Sequence, residues 1–583
     1  MKHFLHWLAK PVRENFTFFI LIFIQIGILE VYSSFSVHYM ANDTFNRAVI
    51  NIIATVIIIS YTFSLIRLIL PHRLKTFFTY FTLFLTTLHF ISSLFLVQVH
   101  GQTLDENITA IILNTNQTEI KEYLSMYLSI SNILYILTIL IGGYIIYRFI
   151  KPMVTSYQCN PVVISLLLIT CIILTIRRPI YFTRLFPYNY ITYFNLNKVP
   201  NLSDTFNQIQ IKTLKDSHPQ NIVFIIGESF SKSHSSLYGY NKTTNPLLAQ
   251  YKKDSLLYVY SNVTSPEQHT IACFQRIMST YNPEIQDSLP WYKCTTLVNI
   301  IKKANYKTFW ISNQSKKGLF DNIPSKYSEQ CDTSMFVGDK FATLHQRNSY
   351  DQEVITLVQP ILQNSEMYNF YVFHLMGSHA NFKRRYPESF NHFKPENYSD
   401  RPIHQQKVLA EYDNSILYND SVVYEIMRLF KDKEAIVFYF SDHAIDVFES
   451  SDKYIGHAIK SDPKSIEAGS KIPFMIYTSP LFKQNFPKET QQIKQCAEQP
   501  FRTDKMIYTI MDIVGIELSC PSKRISESCK AICKSSKASK FILIRNTFKH
   551  KKAPDYSDAF LFYSQLNLFF HISFDSLCAV RTY

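Results

Sequence analysis

Glycine is scarce in this chain, 12 in 583 residues, and tryptophan scarcer still at 3. No internal repeat is evident, which excludes a repeat array. No nucleic-acid motif accompanies the net charge of +14, so no nucleic-acid partner is expected. The first apolar run lacks a small-residue cleavage site and is too long for a signal peptide; further apolar runs follow it. The chain is also too long for one ordinary core, and two or more domains are expected.

Aromatic residues make up 15%, with 46 Phe and 38 Tyr. Mean hydropathy is −0.03, yet the apolar residues concentrate in the first third. That is the pattern of a membrane part joined to a soluble part, and a basic chain suits anionic lipid headgroups. Five stretches meet the length criterion for spanning helices: Asn15–Ser34, Ala48–Leu70, Phe77–Val97, Leu128–Ile150 and Val162–Phe182.

Lys2, Lys10 and Arg13, then Arg73 and Lys75, then Arg148 and Lys151 lie in alternate flanks. The third loop is acidic, with Asp105, Glu106, Glu119 and Glu122. This places the N-terminus inside and everything after Phe182 outside the cytoplasm. Arg177 and Arg178 run against the rule and are read as snorkelling to outer-leaflet phosphates. Tyr181–Phe206, rich in Tyr, Phe and Asn, reads as an interfacial linker.

From about Lys212 short β-rich runs alternate with polar helical stretches. This predicts an α/β domain with a largely parallel central sheet. The runs are Asn221–Ile226, Lys307–Ser312, Asn369–Leu375, Ala435–Phe440 and Ile472–Tyr477. Three of them end in Gly227-Glu228-Ser229, Gly377-Ser378-His379 and Ser441-Asp442-His443. Carboxylates and histidines thus follow the carboxyl ends of separate strands, the edge where open α/β sheets bind ligands. Asp and Ser are common turn residues, but three such sites with metal-ligand chemistry exceed what turns require.

Eight cysteines lie in this region: Cys273, Cys294, Cys331, Cys496, Cys520, Cys529, Cys533 and Cys578. An even count facing an oxidising compartment predicts disulfides. Cys159 and Cys171 are expected as thiols. The spacing of Cys520, Cys529 and Cys533 is not that of a common structural zinc site.

The blocks Asn221–Pro246, Phe373–Pro395, Glu411–Asp420, Phe438–His443 and Gly456–Ala458, in that order, resemble the lipopolysaccharide phosphoethanolamine transferases. These are membrane-anchored members of the alkaline phosphatase/sulfatase superfamily. With the five spans, the resemblance covers about Asn15 to Lys540. It implies a five-helix transmembrane domain at 1–184, an interfacial linker at 185–212, a periplasmic catalytic domain at 213–540 and an atypical tail at 541–583.

It further implies zinc ligands Glu228, Asp442 and His443, joined by the oxygen of a nucleophilic threonine. Oxygen and nitrogen ligands suit zinc, and a catalytic site keeps one position for the reacting group. A metal lowers the pKa of a bound oxygen strongly, from ~16 to ~7 for water, which would activate a hydroxyl.

Thr264, Thr270 and Thr280 compete for that role. Thr270 opens the helical stretch Thr270–Met278, and a helix N-terminus favours a phosphoryl group; Thr270 is preferred. An N-cap role for it is compatible with catalysis. His379 and His457 match histidines that contact phosphate or a second metal in the family. His374, inside a strand run, reads as core; His234 and His269 stay open.

The implied donor is phosphatidylethanolamine and the acceptor a lipopolysaccharide sugar, on lipid A or a core heptose. The enzyme would be a monomer in a bacterial inner membrane. The usual SDHGE motif reads Ser441-Asp442-His443-Ala444-Ile445 here. The histidine block lacks the cysteine of the lipid A enzymes, as in members acting on the core sugars. A sulfatase would need Cys-x-Pro-x-Arg, and Cys273-Phe274-Gln275-Arg276 lacks the proline. Glycerol-phosphate transfer is opposed by the Gly377–Pro387 block. An inactive lipid-binding relative rests on the altered SDHGE block alone.

Overall fold

The structure is a computed structural model. It describes residues 2–36, 44–100, 128, 130–156, 160–177, 210–213, 217–284, 291–314, 316, 323–340, 349–363, 368–452, 455–457 and 463–519.

A helix stands at each of the five apolar stretches: α2 (Phe16–Ser36), α3 (Thr44–Ile69), α4 (His72–His100), α5 (Ile130–Ser156) and α6 (Pro161–Arg177). A basic helix that the apolar runs did not reveal, α1 (Lys2–Glu14), precedes them and packs against α3 and α6. Among the described residues one segment, His72–Leu96, is long and apolar enough to cross a membrane, with mean hydropathy 1.4. The apolar parts of the other four, such as Phe16–Gly27 and Val56–Ile69, are shorter.

Two polar side chains inside this layer are tied by hydrogen bonds. Asn15 donates to the carbonyls of Pro11 and Ser64 at 3.0 and 3.1 Å. Gln25 donates to Thr87 and accepts from Thr86, both at 2.7 Å. Without such bonds each group would be costly in an apolar setting.

The second part is built on seven strands: β1 (Asn221–Gly227), β2 (Leu257–Val259), β3 (Lys307–Ser312), β4 (Thr333–Phe336), β5 (Asn369–His374), β6 (Ala435–Ser441) and β7 (Phe474–Thr478). Their order across the sheet is β2-β7-β6-β1-β5-β3-β4. β1 pairs in parallel with both β5 and β6, whereas β7 runs antiparallel to β6 and β2. The sheet is therefore mixed. All five predicted runs are strands within two residues of their expected bounds. The strands β2 and β4, three and four residues long, were not expected.

β1 explains the layering. Ile222, Phe224 and Ile226 enter one apolar cluster, with Phe274, Trp310 and Phe438. Val223 and Ile225 enter another, with Tyr371, Ile416 and Tyr439. All seven residues of β1 are buried, as a central parallel strand covered on both faces must be. Burying each such side chain stabilises the fold by about 1.5–3 kcal/mol.

Two expectations change. Lys212 was placed in the linker, but Gln210–Thr213 is a strand paired with Ile516–Ser519. Among the described residues no disulfide forms: Cys273, Cys294, Cys331 and Cys496 are thiols. They fill small apolar spaces, Cys273 and Cys496 inside the Phe274 cluster and Cys331 against it, as buried cysteines do. The tail at 541–583, residues 185–209 of the linker, and Cys159, Cys520, Cys529, Cys533 and Cys578 lie outside the described residues.

Candidate active site

β1 and β6 end level with each other, Gly227 opposite Ser441. The next residues, Glu228 and Asp442, therefore emerge side by side, and the Asp442 amide donates to the Gly227 carbonyl at 3.0 Å. Glu228, Asp442 and His443 are buried, at 2%, 0% and 1% exposure. One ligand atom from each lies within 4.8 Å of the others.

Local bonds fix each side chain. Ser229, at φ 57°, donates to Glu228 Oε1 at 2.8 Å. The His443 amide donates to Asp442 Oδ1 at 2.7 Å. His443 Nδ1 lies 3.0 Å from the Ala444 carbonyl. Such a bond gives Nδ1 the proton and leaves the Nε2 lone pair for a cation. Nε2 is 3.1 Å from Glu228 Oε1 and 3.4 Å from Asp442 Oδ2.

Burial and the Glu228 charge drive the Asp442 carboxyl well above its ordinary range. Burial opposes the Glu228 charge too, but His443 outweighs it and holds Glu228 well below the usual range. Burial would lower His443; Asp442 and Glu228 outweigh it and push it up to about 9. Asp442 Oδ2 is buried with no hydrogen-bond partner. Two buried carboxylates, one of them with an orphaned oxygen, and one imidazole form a donor set that fits zinc.

Thr270 begins α7 (Thr270–Ile277). Its hydroxyl lies 3.1 Å from Glu228 Oε2 and 3.1 Å from His443 Nε2. The rival threonines are elsewhere. Thr264 sits in a two-residue strand opposite Arg502, and Thr280 is buried with its amide on the Thr295 carbonyl. The His457 ring is 4.8 Å from that of His443 and 5.0 Å from that of His269. Burial and His443 hold His457 well below the ordinary histidine range. His379 follows the Gly377 turn, with its Nδ1 buried and unbonded.

The remaining histidines separate cleanly. His374 is buried against Phe274 and Trp310, and burial lowers it to about 4. His234 is bound to Asp413 at 2.7 Å in a network with Tyr240 and Tyr398. In place of the usual glycine and carboxylate, Ala444 and Ile445 are buried at 0% and 1% exposure.

Three polar residues around the site had not been singled out. Gln314 donates to Glu228 Oε2 at 3.4 Å and to the Leu375 carbonyl at 3.0 Å. Asn313 and Asp351 are hydrogen-bonded to each other at 2.9 Å. Asn313 and Gln314 directly follow β3, so the rule that flagged Glu228 could have found them. Asp351 has no such signal.

The sulfatase family profile matches residues 220–516, just over half of the chain. Phosphoethanolamine transferase EptC of Escherichia coli strain RS218 is 26% identical over 452 residues, covering 72% of this chain and 76% of that protein. The crystal structure of the periplasmic domain of Escherichia coli EptC in complex with Zn has a TM-score of 0.50 at 26% identity. It covers 59% of this chain and 91% of that one. The integral membrane protein lipooligosaccharide phosphoethanolamine transferase A from Neisseria meningitidis has a TM-score of 0.59 at 16% identity, over 88% of this chain and 98% of that one; it shares the fold. With a mixed α/β sheet whose strand ends gather Glu228, Asp442 and His443, this chain belongs to the sulfatase family.

Proposed function

We propose that this chain transfers phosphoethanolamine from phosphatidylethanolamine to a lipopolysaccharide sugar, on lipid A or a core heptose. The observation that carries the reading is Thr270 Oγ1, 3.1 Å from both Glu228 and His443 at the first residue of α7. The EptC resemblance supports the transferred group. Hydrolysis of sulfate esters is disfavoured: burial holds the Cys273 thiol well above its ordinary pKa, and it donates to the Glu267 carbonyl at 3.2 Å.

Zinc bound by Glu228, Asp442 and His443, with His379 and His457 toward phosphate or a second ion, would supply charge stabilisation and a more acidic threonine hydroxyl. Thr270 Oγ1 forms a bond to the donor phosphorus while the bond from phosphorus to the glycerol oxygen breaks. Diacylglycerol leaves with the proton that Thr270 gives up, a proton held toward Glu228 Oε2 beforehand. The phosphoethanolamine ester on Thr270 is then attacked by a sugar hydroxyl. That hydroxyl's proton restores Thr270. The helix N-terminus favours the phosphoryl charge.

The proposed setting is a bacterial inner membrane, with α2 to α6 spanning it and residues 213–540 in the periplasm. Large outward side chains support this, among them Phe77, Phe84, Leu134, Ile141 and Tyr144, each more than half exposed, as lipid contact requires. Mass spectrometry of lipopolysaccharide from cells with and without the gene tests the function. A mass and position corresponding to added phosphoethanolamine are expected. Identical lipopolysaccharide in both would reject the reading.

A further inference from the structure

Asp351 is 4% exposed and accepts three N–H groups from two other parts of the chain. Its Oδ1 takes the Met376 amide at 2.8 Å and Asn313 Nδ2 at 2.9 Å; its Oδ2 takes the Gly377 amide at 2.8 Å. A buried carboxylate with three donors is held in one place, because losing any donor leaves a costly unpaired group.

What Asp351 grips lies against Glu228. Gly377 has φ +52°, and a Cβ there would sit 2.7 Å from both the amide nitrogen and the carbonyl oxygen of Glu228. The Ser378 amide donates to that same carbonyl at 2.9 Å. The turn is thus pinned by Asp351 on one side and by the Glu228 backbone on the other, and it carries His379. On the β3 side, Asn313 is bonded through its amide to the His374 carbonyl at 3.0 Å. Its neighbour Gln314 reaches Glu228 Oε2. One carboxylate therefore ties together the ends of β3 and β5, and through them β1.

We propose that Asp351 is a positioning residue, which sets the Glu228 carboxylate and His379 by holding the Met376–Gly377 turn and Asn313. The proposal rests on the transferase reading for what the site does. It stands on its own for what Asp351 holds. Asp351 touches neither substrate nor Glu228; it acts through the turn and through Asn313. Residues that orient metal ligands typically change metal affinity or activity by about 10–100-fold when replaced.

The test uses the full chain in detergent. Asp351→Asn is nearly the same size but presents an NH2 group where an acceptor stood. The folded variant is expected to bind zinc about 10–100-fold more weakly in a chelator competition, with kcat reduced and KM for the donor little changed. Amide hydrogen exchange across Met376–His379 should quicken. Asp332→Asn is the comparison. Asp332 bonds Thr308 at the other end of β3, so that variant should lose thermal stability and keep zinc affinity. Should Asp351→Asn fail to fold, Asn313→Ala removes one of the three donors and should weaken zinc in the same direction by less. A folded Asp351→Asn or Asn313→Ala protein with wild-type zinc affinity and unchanged exchange would overturn the proposal. A wild-type protein that holds zinc but transfers nothing would instead reject the transferase reading, and the zinc and exchange arms would still decide the role of Asp351.

Discussion

Thr270 Oγ1 stands 3.1 Å from His443 Nε2, although 173 residues separate them in the chain. The same oxygen is 3.1 Å from Glu228 Oε2, 42 residues away. A helix start meets two strand ends at one point, and that convergence is the basis of the expected behaviour below.

Thr270→Ala should lose turnover and keep most of its zinc, because three protein ligands remain. Wild-type enzyme given phosphatidylethanolamine alone should accumulate phosphoethanolamine on Thr270, since a covalent enzyme stalls without acceptor. Thr270→Ser should keep part of the activity; the oxygen survives while the methyl group that stiffens its rotamer is lost. Tryptic mass spectrometry reads the adduct. Finding it on Thr264, or turnover in Thr270→Ala, would show that another residue attacks.

Asp442→Ala should abolish zinc retention and activity together. The substitution costs the donor set one of three ligands and takes away the Oδ1 atom that accepts the His443 amide. Metal content measured on the purified variant is the check. Full zinc occupancy would refute the assignment.

Cys273, Cys331 and Cys496 should alkylate on unfolding without any reductant. Each is a thiol in the structure, and burial raises all three above the ordinary cysteine range, Cys331 to about 12. A thiol of that kind packs as a small apolar group and reacts slowly while folded. Peptide mapping after denaturation in iodoacetamide decides the matter; peptides joined through any of these residues would contradict the structure.

A pH effect is expected at Asp420, which is not one of the ligands. Its carboxylate accepts the Leu247 and Leu248 amides at 2.9 and 3.1 Å, yet burial raises its pKa to about 7. A folded pKa above the unfolded value means that the folded state holds the proton longer. This contribution to stability is complete below about pH 4 and is lost as pH rises through about 7. Its size is up to ~4 kcal/mol. Asp420→Asn cannot titrate, so the stability gap between wild type and variant should shift in the variant's favour from pH 4 to 7. A constant gap in denaturant midpoints across that range would exclude the effect.

The five main strands were legible because each carries a continuous apolar stretch of three or more residues, the mark of a strand buried on both faces. Glu228, Asp442 and His443 were legible because they follow such runs directly. β2 and β4 were not, being three and four residues long. For Cys273, Cys294, Cys331 and Cys496 the disulfide expectation failed, because an even cysteine count reports compartment and not distance. Whether two sulfurs can bond depends on the separation and direction of their Cβ atoms.

The sequence by itself determined the apolar first third, the α/β alternation and the identity of the candidate ligands, since these are properties of local pattern. The helix start at Thr270 favoured it among Thr264, Thr270 and Thr280, but tertiary structure decided that its hydroxyl stands beside residues 42 and 173 positions away. It also decided the place of Asp351, whose three donors come from two other parts of the chain. A carboxylate that works by joining strand ends has no signature along the chain, because the ends meet only when the sheet forms.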